Sequence, residues 1–254
     1  MARRDYQQSG VSDEDDAWIR SFVIHEDEAL LAFNKPAGLP VQTRNPDDRT
    51  LDSLLAAFAK SNGKRPRLVH RLDAQTSGVI LAGKTQPAAA ALSAGFAGRD
   101  VRKTYLAVVS GAPLAQHGGD ISIALARYRP RPELELMRAA RPGDGKPQEA
   151  LTRWTLLASN GMHHLLSLAP ETGRMHQIRA HLSLMGRPIL GDPYYGGATT
   201  LRGEPVQRMM LHAVRIAAPH PSGGRFALYA APPQDFAAAL TIAELDLATP
   251  PVRG

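Results

Sequence analysis

Two blocks of this chain carry side chains that could do chemistry. The first is His70-Arg71-Leu72-Asp73-Ala74-Gln75-Thr76-Ser77-Gly78, with one carboxylate, Asp73, after the apolar pair Leu68-Val69 and before small hydroxyl residues. Val79–Ala82 then reads as a buried strand, which puts a lone acid at a strand-to-loop junction, where a rigid scaffold can hold an exposed group. A carboxylate is ionised at neutral pH, and an adjacent cation keeps it so; in that form it can attack an electrophilic carbon. The second block, Glu171-Thr172-Gly173-Arg174-Met175-His176-Gln177-Ile178-Arg179-Ala180-His181-Leu182, offers a cation, Arg179, inside a helical pattern. Taken alone, Asp73 also reads as a turn residue capping a local amide, and Arg179 as an ordinary surface residue of a helix.

Two further residues stand near this chemistry. Tyr105, in Lys103-Thr104-Tyr105-Leu106-Ala107-Val108, is a strand aromatic that could lie in the core. Arg71 precedes Asp73 by two residues, so in an extended segment both side chains share a face; a phosphate contact is its simplest use. The histidines make no metal motif. His176 and His181 are five apart and point to different faces of a helix, His163 and His164 are adjacent on a strand and face opposite ways, and no helix carries two His with a Glu at zinc-site spacing.

The elements that must position these groups read as follows. Residues 1–17 are polar and acidic and read as a disordered tail, with order beginning at Trp18. Phe22–His25 and Ala29–Phe33 are strands around the acidic turn Glu26-Asp27-Glu28. Asn34–Pro40 is a rigid turn. Thr50 caps a helix over Leu51–Lys60, and Ala88–Phe96 is a second helix. Lys103–Val109 alternates like a strand, residues 126–148 are irregular and basic with four prolines, and Leu151–Leu157 and His163–Leu168 form a hairpin through Ser159-Asn160-Gly161. Met175–Met185 is a helix, Gly191–Gly197 a tight loop, Met210–Ala217 and Arg225–Ala230 strands, and Phe236–Leu240 a short final helix. Hairpins mixed with a few helices, without steady strand–helix alternation, predict an α+β fold: helices packed on a largely antiparallel mixed sheet. The chain divides on this reading into the tail 1–17 and one domain over 18–254.

Composition narrows the partners. The 254 residues contain no cysteine, which excludes disulfides and thiolate metal sites. No apolar run is long enough for a membrane-spanning helix, and the N-terminus lacks the apolar core of a secretory signal. The net charge of +6 is uneven: residues 1–30 carry −5, which leaves +11 on the remainder. Of 30 basic residues 24 are Arg, whose planar fork binds phosphate at two points and stacks on bases; a GC-rich genome enriches Arg equally. Lys60, Lys64, Arg65, Arg67 and Arg71 lead to Asp73 with no acid among residues 53–72. No glycine-rich nucleotide fingerprint or phosphate loop follows a strand.

The Asp73 block, the Tyr105 segment and the Arg179 block, together with Asn34-Lys35-Pro36-Ala37-Gly38, resemble the RluA-type RNA pseudouridine synthases over roughly residues 20–240, in the short form without an N-terminal RNA-binding module. The resemblance implies the pseudouridine synthase fold with a central RNA-binding cleft, and isomerisation of specific uridines in structured ribosomal or transfer RNA. It implies Asp73 as nucleophile, Arg179 as its paired cation, Tyr105 stacking on the flipped uracil near the late proton transfer, and Ile178 packing on the target base. Arg71 would fill the void left by the extruded uridine, and Arg67, Lys35, Arg174 and Arg129 would contact RNA, Lys35 in a structural turn with phosphate as its possible partner. No metal or cofactor is expected, no membrane partner, and a cytoplasmic monomer acting on a loop uridine. An RNA chaperone using the same cleft without catalysis is the alternative. A metal-dependent RNA hydrolase fits poorly, since no carboxylate pair or His cluster is present.

Overall fold

The computed structural model describes residues 11–43, 45 and 47–246. The chain forms two compact units, Met1–Val101 with Arg215–Ala231, and Arg102–Val214 with Pro232–Gly254. The division follows from the chain's path: it leaves the first unit after Val101 and re-enters it at Arg215, and each unit buries an apolar cluster of its own.

The first unit opens with α1 (Asp13–Arg20). Its presence corrects the expectation of a disordered tail through residue 17; residues 1–10 lie outside the described residues. Ser12 caps the helix by accepting the Asp15 amide at 3.1 Å, four acids fill the first turn, and Arg20 pairs with Asp16 at 2.9 Å. Acids at a helix N-terminus complement its dipole, so the same acidic run that lowers hydropathy favours this helix.

Strands β1 (Val23–Glu26) and β2 (Leu30–Lys35) pair antiparallel, and the Asp27 carboxylate accepts the Ala29 and Leu30 amides in the turn, both at 2.7 Å. Thr50 and Ser53 cap α2 (Leu51–Leu54) reciprocally; the helix tightens into a 3-10 turn over Leu55–Phe58 and so ends short of the expected Lys60. A short β3 (Arg67–Leu68) and β4 (Ser77–Gly83) pair with each other, and β4 also pairs along β2 from Leu30↔Gly83 to Lys35↔Gly78. Every residue of β4 is buried, as a strand flanked on both edges and covered on its faces requires. Helix α3 (Gln86–Ala97), capped by Thr85, sends Leu92 into a cluster with Leu30, Ala32, Val79 and Leu81.

The second unit contains β5 (Arg102–Ser110), β6 (Gly118–Ser122), β7 (Leu125–Arg131), β8 (Leu134–Ala139), β9 (Leu151–Ser159), β10 (His163–Pro170) and α4 (Gln177–Leu184), followed by the small hairpin β11 (Thr200–Leu201) and β12 (Glu204–Pro205). Its strands pair antiparallel in the order β5-β10-β9-β6. Asn160 closes the β9–β10 turn, its side-chain oxygen accepting the Met162 and His163 amides at 2.9 and 2.7 Å. The β7–β8 hairpin corrects the expectation of irregular chain over 126–148. The prolines that argued against strands are accommodated: Pro130 falls where the register shifts between Tyr128 and Arg131, a place where proline costs no ladder bond. Leu106, Val108, Leu165, Leu166, Ile178 and Leu182 anchor the larger core.

Strand β13 (Leu211–Pro219) belongs to the second unit through Val214 and to the first from Arg215; β14 (Arg225–Tyr229) pairs with its later half, and α5 (Gln234–Ile242) lies in the second unit. Few helices on antiparallel strands make the α+β fold that the sequence predicts. Among the described residues no helix is long and apolar enough to cross a membrane.

Candidate active site

Asp73 lies in the loop between β3 and β4 and is half-buried. Its carbonyl accepts the Thr76 amide at 3.0 Å, closing a turn, and the next carbonyl, Ala74, accepts the Gly38 amide at 2.9 Å. Behind this turn stands Lys35. It is fully buried, and its Nζ donates to the carbonyls of Pro36, Leu39 and Ala74 at 2.8, 2.8 and 3.0 Å. The ammonium therefore ties the Pro36–Leu39 turn to the Asp73 loop. This corrects the reading of Lys35 as a phosphate contact: a group with no exposed surface and three carbonyl partners cannot reach RNA. His70 adds a second tie, its Nε2 accepting the Leu81 amide at 2.9 Å while its ring stacks on Phe96. Arg67 and Arg71 flank the loop and are exposed.

In the second unit, α4 begins two residues later than predicted. His176 takes a left-handed conformation (φ 49°) and offers no side-chain cap. Gln177 anchors the start of the helix instead: its Oε1 accepts the Arg174 amide at 3.1 Å and the Thr172 hydroxyl at 2.6 Å, and its Nε2 donates to the Leu151 carbonyl and the Thr152 hydroxyl oxygen. His181, fully buried, bonds through Nδ1 to the same Thr152 oxygen at 2.9 Å and through Nε2 to the Ile123 carbonyl at 3.0 Å. Burial pushes its pKa down, with the Ile123 bond opposing, so the ring stays neutral. These bonds fix the roll of α4 and so the direction in which Ile178 and Arg179 project.

Arg179 is 6% exposed, and Asp192 is fully buried. The Arg179 Nε reaches Asp192 Oδ2 at 2.8 Å and Nη2 reaches Oδ1 at 3.0 Å, a two-point fork. Asp192 Oδ1 also accepts the Tyr194 and Tyr195 amides at 3.0 and 3.3 Å. The guanidinium carbon lies 4.9 Å from the Tyr195 ring centroid and 5.9 Å from that of Tyr194, distances at which a cation is drawn to an aromatic face. The Tyr195 hydroxyl accepts the Met137 amide at 2.8 Å and bonds His176 Nδ1 at 3.1 Å. Burial pushes this phenol up to about 12, which keeps it protonated at neutral pH. The loop needs its glycines: Gly191 has φ 77°, and a Cβ there would strike the Arg208 carbonyl, while one on Gly197 would strike that of Ile189.

Tyr105 and Ile178 meet in one apolar cluster. Ile178 is 7% exposed within it, and Tyr105, paired in register with Leu168, packs against it half-buried. Lys103 shares the Tyr105 face of β5. Burial pushes its ammonium below the ordinary lysine range, Glu171 opposing, and its Nζ lies 3.7 Å from where a Gly173 Cβ would be. Arg174 gives its Nε to the Glu149 carbonyl at 3.0 Å. Arg129 stands on β7 beside Arg127, both exposed and both paired to the single Glu135 at 3.2 and 2.9 Å, so the ribbon keeps a basic excess.

The predicted residues thus fall in two sets: Lys35, Arg67, Arg71 and Asp73 in the first unit, and Tyr105, Arg129, Arg174, Ile178 and Arg179 in the second. Sequence reasoning missed Asp192 and Tyr195. Their signal was present in Gly191-Asp192-Pro193-Tyr194-Tyr195-Gly196-Gly197, read only as a tight loop. It also passed over Lys103, two residues before Tyr105.

The sequence profile of the RNA pseudouridylate synthase family matches residues 29–184. Ribosomal large subunit pseudouridine synthase D of Zymomonas mobilis is 36% identical over 215 residues, covering 80% of this chain; the chain spans 66% of that relative's length. An uncharacterised RNA pseudouridine synthase of the same bacterium is 35% identical over 193 residues, which cover 75% of this chain and 84% of that one. The structure of human RNA pseudouridylate synthase domain containing 4 superposes with a TM-score of 0.77 at 25% identity, covering 93% of this chain and 99% of that one.

Proposed function

The chain belongs to the RNA pseudouridylate synthase family, and on that premise we propose that it isomerises specific uridines to pseudouridine in structured ribosomal or transfer RNA, with Asp73 as nucleophile. The family match carries this reading, because residues 29–184 take in both the Asp73 block and the Arg179 block. Of the two RNA classes, ribosomal RNA has the better support, from the name of the Zymomonas relative. The proposed enzyme works as a cytoplasmic monomer whose catalytic domain spans residues 18–254.

The reaction balances without an outside oxidant or energy source. The bond between uracil N1 and the ribose anomeric carbon breaks, the base turns, and C5 bonds to that carbon; the C5 proton leaves to solvent and N1 gains one. Asp73 attacks either the ring or the anomeric carbon, the bond it forms breaks again before pseudouridine is released, and Arg179 is the cation proposed to serve with it. Tyr105 stacks on the extruded uracil, Ile178 packs against it, and Tyr105's hydroxyl lies near the proton lost from C5. Arg71 fills the gap in the RNA stack, whose opening costs a few kcal/mol, so a uridine in a loop is preferred over one in a duplex. Arg67, Arg129 and Arg174 contact the RNA backbone.

The test is loss of the C5 hydrogen. A large-subunit ribosomal RNA transcript labelled with tritium at uridine C5 should release label to solvent with the wild-type protein. Asp73→Asn should abolish release while leaving RNA binding and the circular dichroism spectrum unchanged. Turnover within about tenfold of wild type, about 1.4 kcal/mol of barrier, would remove Asp73 from the nucleophile's role. A wild-type protein that binds every candidate RNA and releases label from none would be a chaperone instead.

A further inference from the structure

We infer that Asp192 is a positioning residue for the reaction: it fixes the guanidinium of Arg179, while Tyr195 ties that guanidinium to the basic β7–β8 hairpin. The inference rests on the proposed role of Arg179. Its starting point is the cost of the arrangement. Asp192 is fully buried and Arg179 nearly so, and taking two charges out of water is costly enough that such a pair seldom adds net stability. What the pair does provide is direction. An Arg side chain has four rotatable bonds, and one carboxylate contact leaves its plane free to swing. Here the Nε and Nη2 edge is locked on both Asp192 oxygens, which sets the plane and aims the edge that carries Nη1.

The carboxylate is held in turn. The amides of Tyr194 and Tyr195 both point at Oδ1, and the glycines at 191 and 197 allow the tight turn that brings those amides round. Tyr195 then joins three parts of the second unit. Its ring lies under the guanidinium, its hydroxyl oxygen receives the Met137 amide of β8, and the same hydroxyl bonds His176 at the start of α4. A shift of β8 at Met137 therefore moves the ring against which Arg179 rests. Arg127 and Arg129 stand on the partner strand of that hairpin, so RNA pressing on these arginines bears on the position of Arg179.

Single-turnover kinetics with enzyme in excess, on the tritiated ribosomal transcript, separate positioning from folding. The amplitude reports the fraction of folded protein and the rate constant reports the chemistry. Asp192→Asn removes the charge and presents an amide N–H to the Arg179 donors. It should lower the rate constant by about 10- to 100-fold, the range expected when a catalytic group is misplaced by about 1 Å, with RNA affinity unchanged. Tyr195→Phe, which keeps the ring and removes both hydroxyl bonds, should lower the same constant by a smaller factor. If Asp192→Asn does not fold, Asp192→Glu keeps the charge and shifts it by one methylene, and a wild-type rate constant there overturns the inference. So does a folded Asp192→Asn with a wild-type rate constant, or one that loses only amplitude or only affinity. Arg179→Lys identifies where a failure lies: a wild-type rate constant in that variant overturns the role of Arg179 and the inference with it, whereas a slow Arg179→Lys beside a normal Asp192→Asn overturns the inference alone.

Discussion

Replacing Lys35 with Met separates a structural clamp from an RNA contact. The substitution keeps most of the aliphatic volume and removes the ammonium. Three carbonyls lose a donor, those of Pro36, Leu39 and Ala74; Ala74 keeps a second one, the Gly38 amide. Two carbonyls deprived of Nζ, at about 1–3 kcal/mol each, give a loss of about 2–6 kcal/mol. Removing a buried charge returns part of this, since it no longer has to be desolvated. We expect a net loss of about 2–4 kcal/mol, which in a chain of this size lowers the melting temperature by roughly 4–16 °C. The measurements are a thermal melt and RNA binding across a series of salt concentrations. The slope of log affinity against log salt should match wild type, because no phosphate contact is lost. An unchanged melting temperature, with a slope shallower by about one, would refute the argument and return Lys35 to the RNA.

Arg129→Ala in the β7–β8 hairpin should do the opposite: it should weaken RNA binding and flatten its salt dependence by about one contact, with stability nearly unchanged because the Arg129–Glu135 pair is exposed. Stability should fall as pH drops below about 6.5, the unperturbed histidine value. Burial holds His181 and His163 below that value in the folded chain, so the unfolded chain takes up more protons in this window; urea midpoints between pH 8 and pH 5.5 that do not fall would contradict it. Gly197→Ala should lower both the melting temperature and the single-turnover rate constant, because its Cβ would meet the Ile189 carbonyl beside Asp192; a normal rate constant in the folded variant would separate the loop from the chemistry.

Much of the architecture was legible because local signals and burial agree. Thr50 caps the helix it precedes, Ser159-Asn160-Gly161 turns a hairpin, and Val79–Ala82 is the buried run of β4. The failures have particular causes. The acids of residues 13–16 lower the hydropathy of the tail, yet they also complement the dipole of the helix they begin. The prolines of residues 126–148 argue against strands only where they face a ladder bond, and Pro130 falls at a register shift. Lys35 reads in sequence as a charge on a turn, but burial decides what a lysine can touch, and burial depends on the Asp73 loop, 38 residues away in sequence.

Asp192 was missed for a different reason, one that limits how an ion pair can be read from sequence. A carboxylate and a guanidinium 13 residues apart carry no fixed spacing, because the segment between them is a helix end followed by a loop and its path sets the distance. What the sequence does carry is the cost of that path: Gly191 and Gly197 bracket Asp192 because any side chain there would collide with backbone. Glycines that a turn alone would not need, on both sides of one acid, mean that the acid's backbone is held in a place it could not otherwise reach. A buried carboxylate held so tightly needs a cation, and in this unit the cation is Arg179, presented by a helix whose roll is set by Gln177 and His181. The site's direction thus comes from polar residues that touch no substrate on any reading of the sequence, and they are the ones a search for reactive groups passes over.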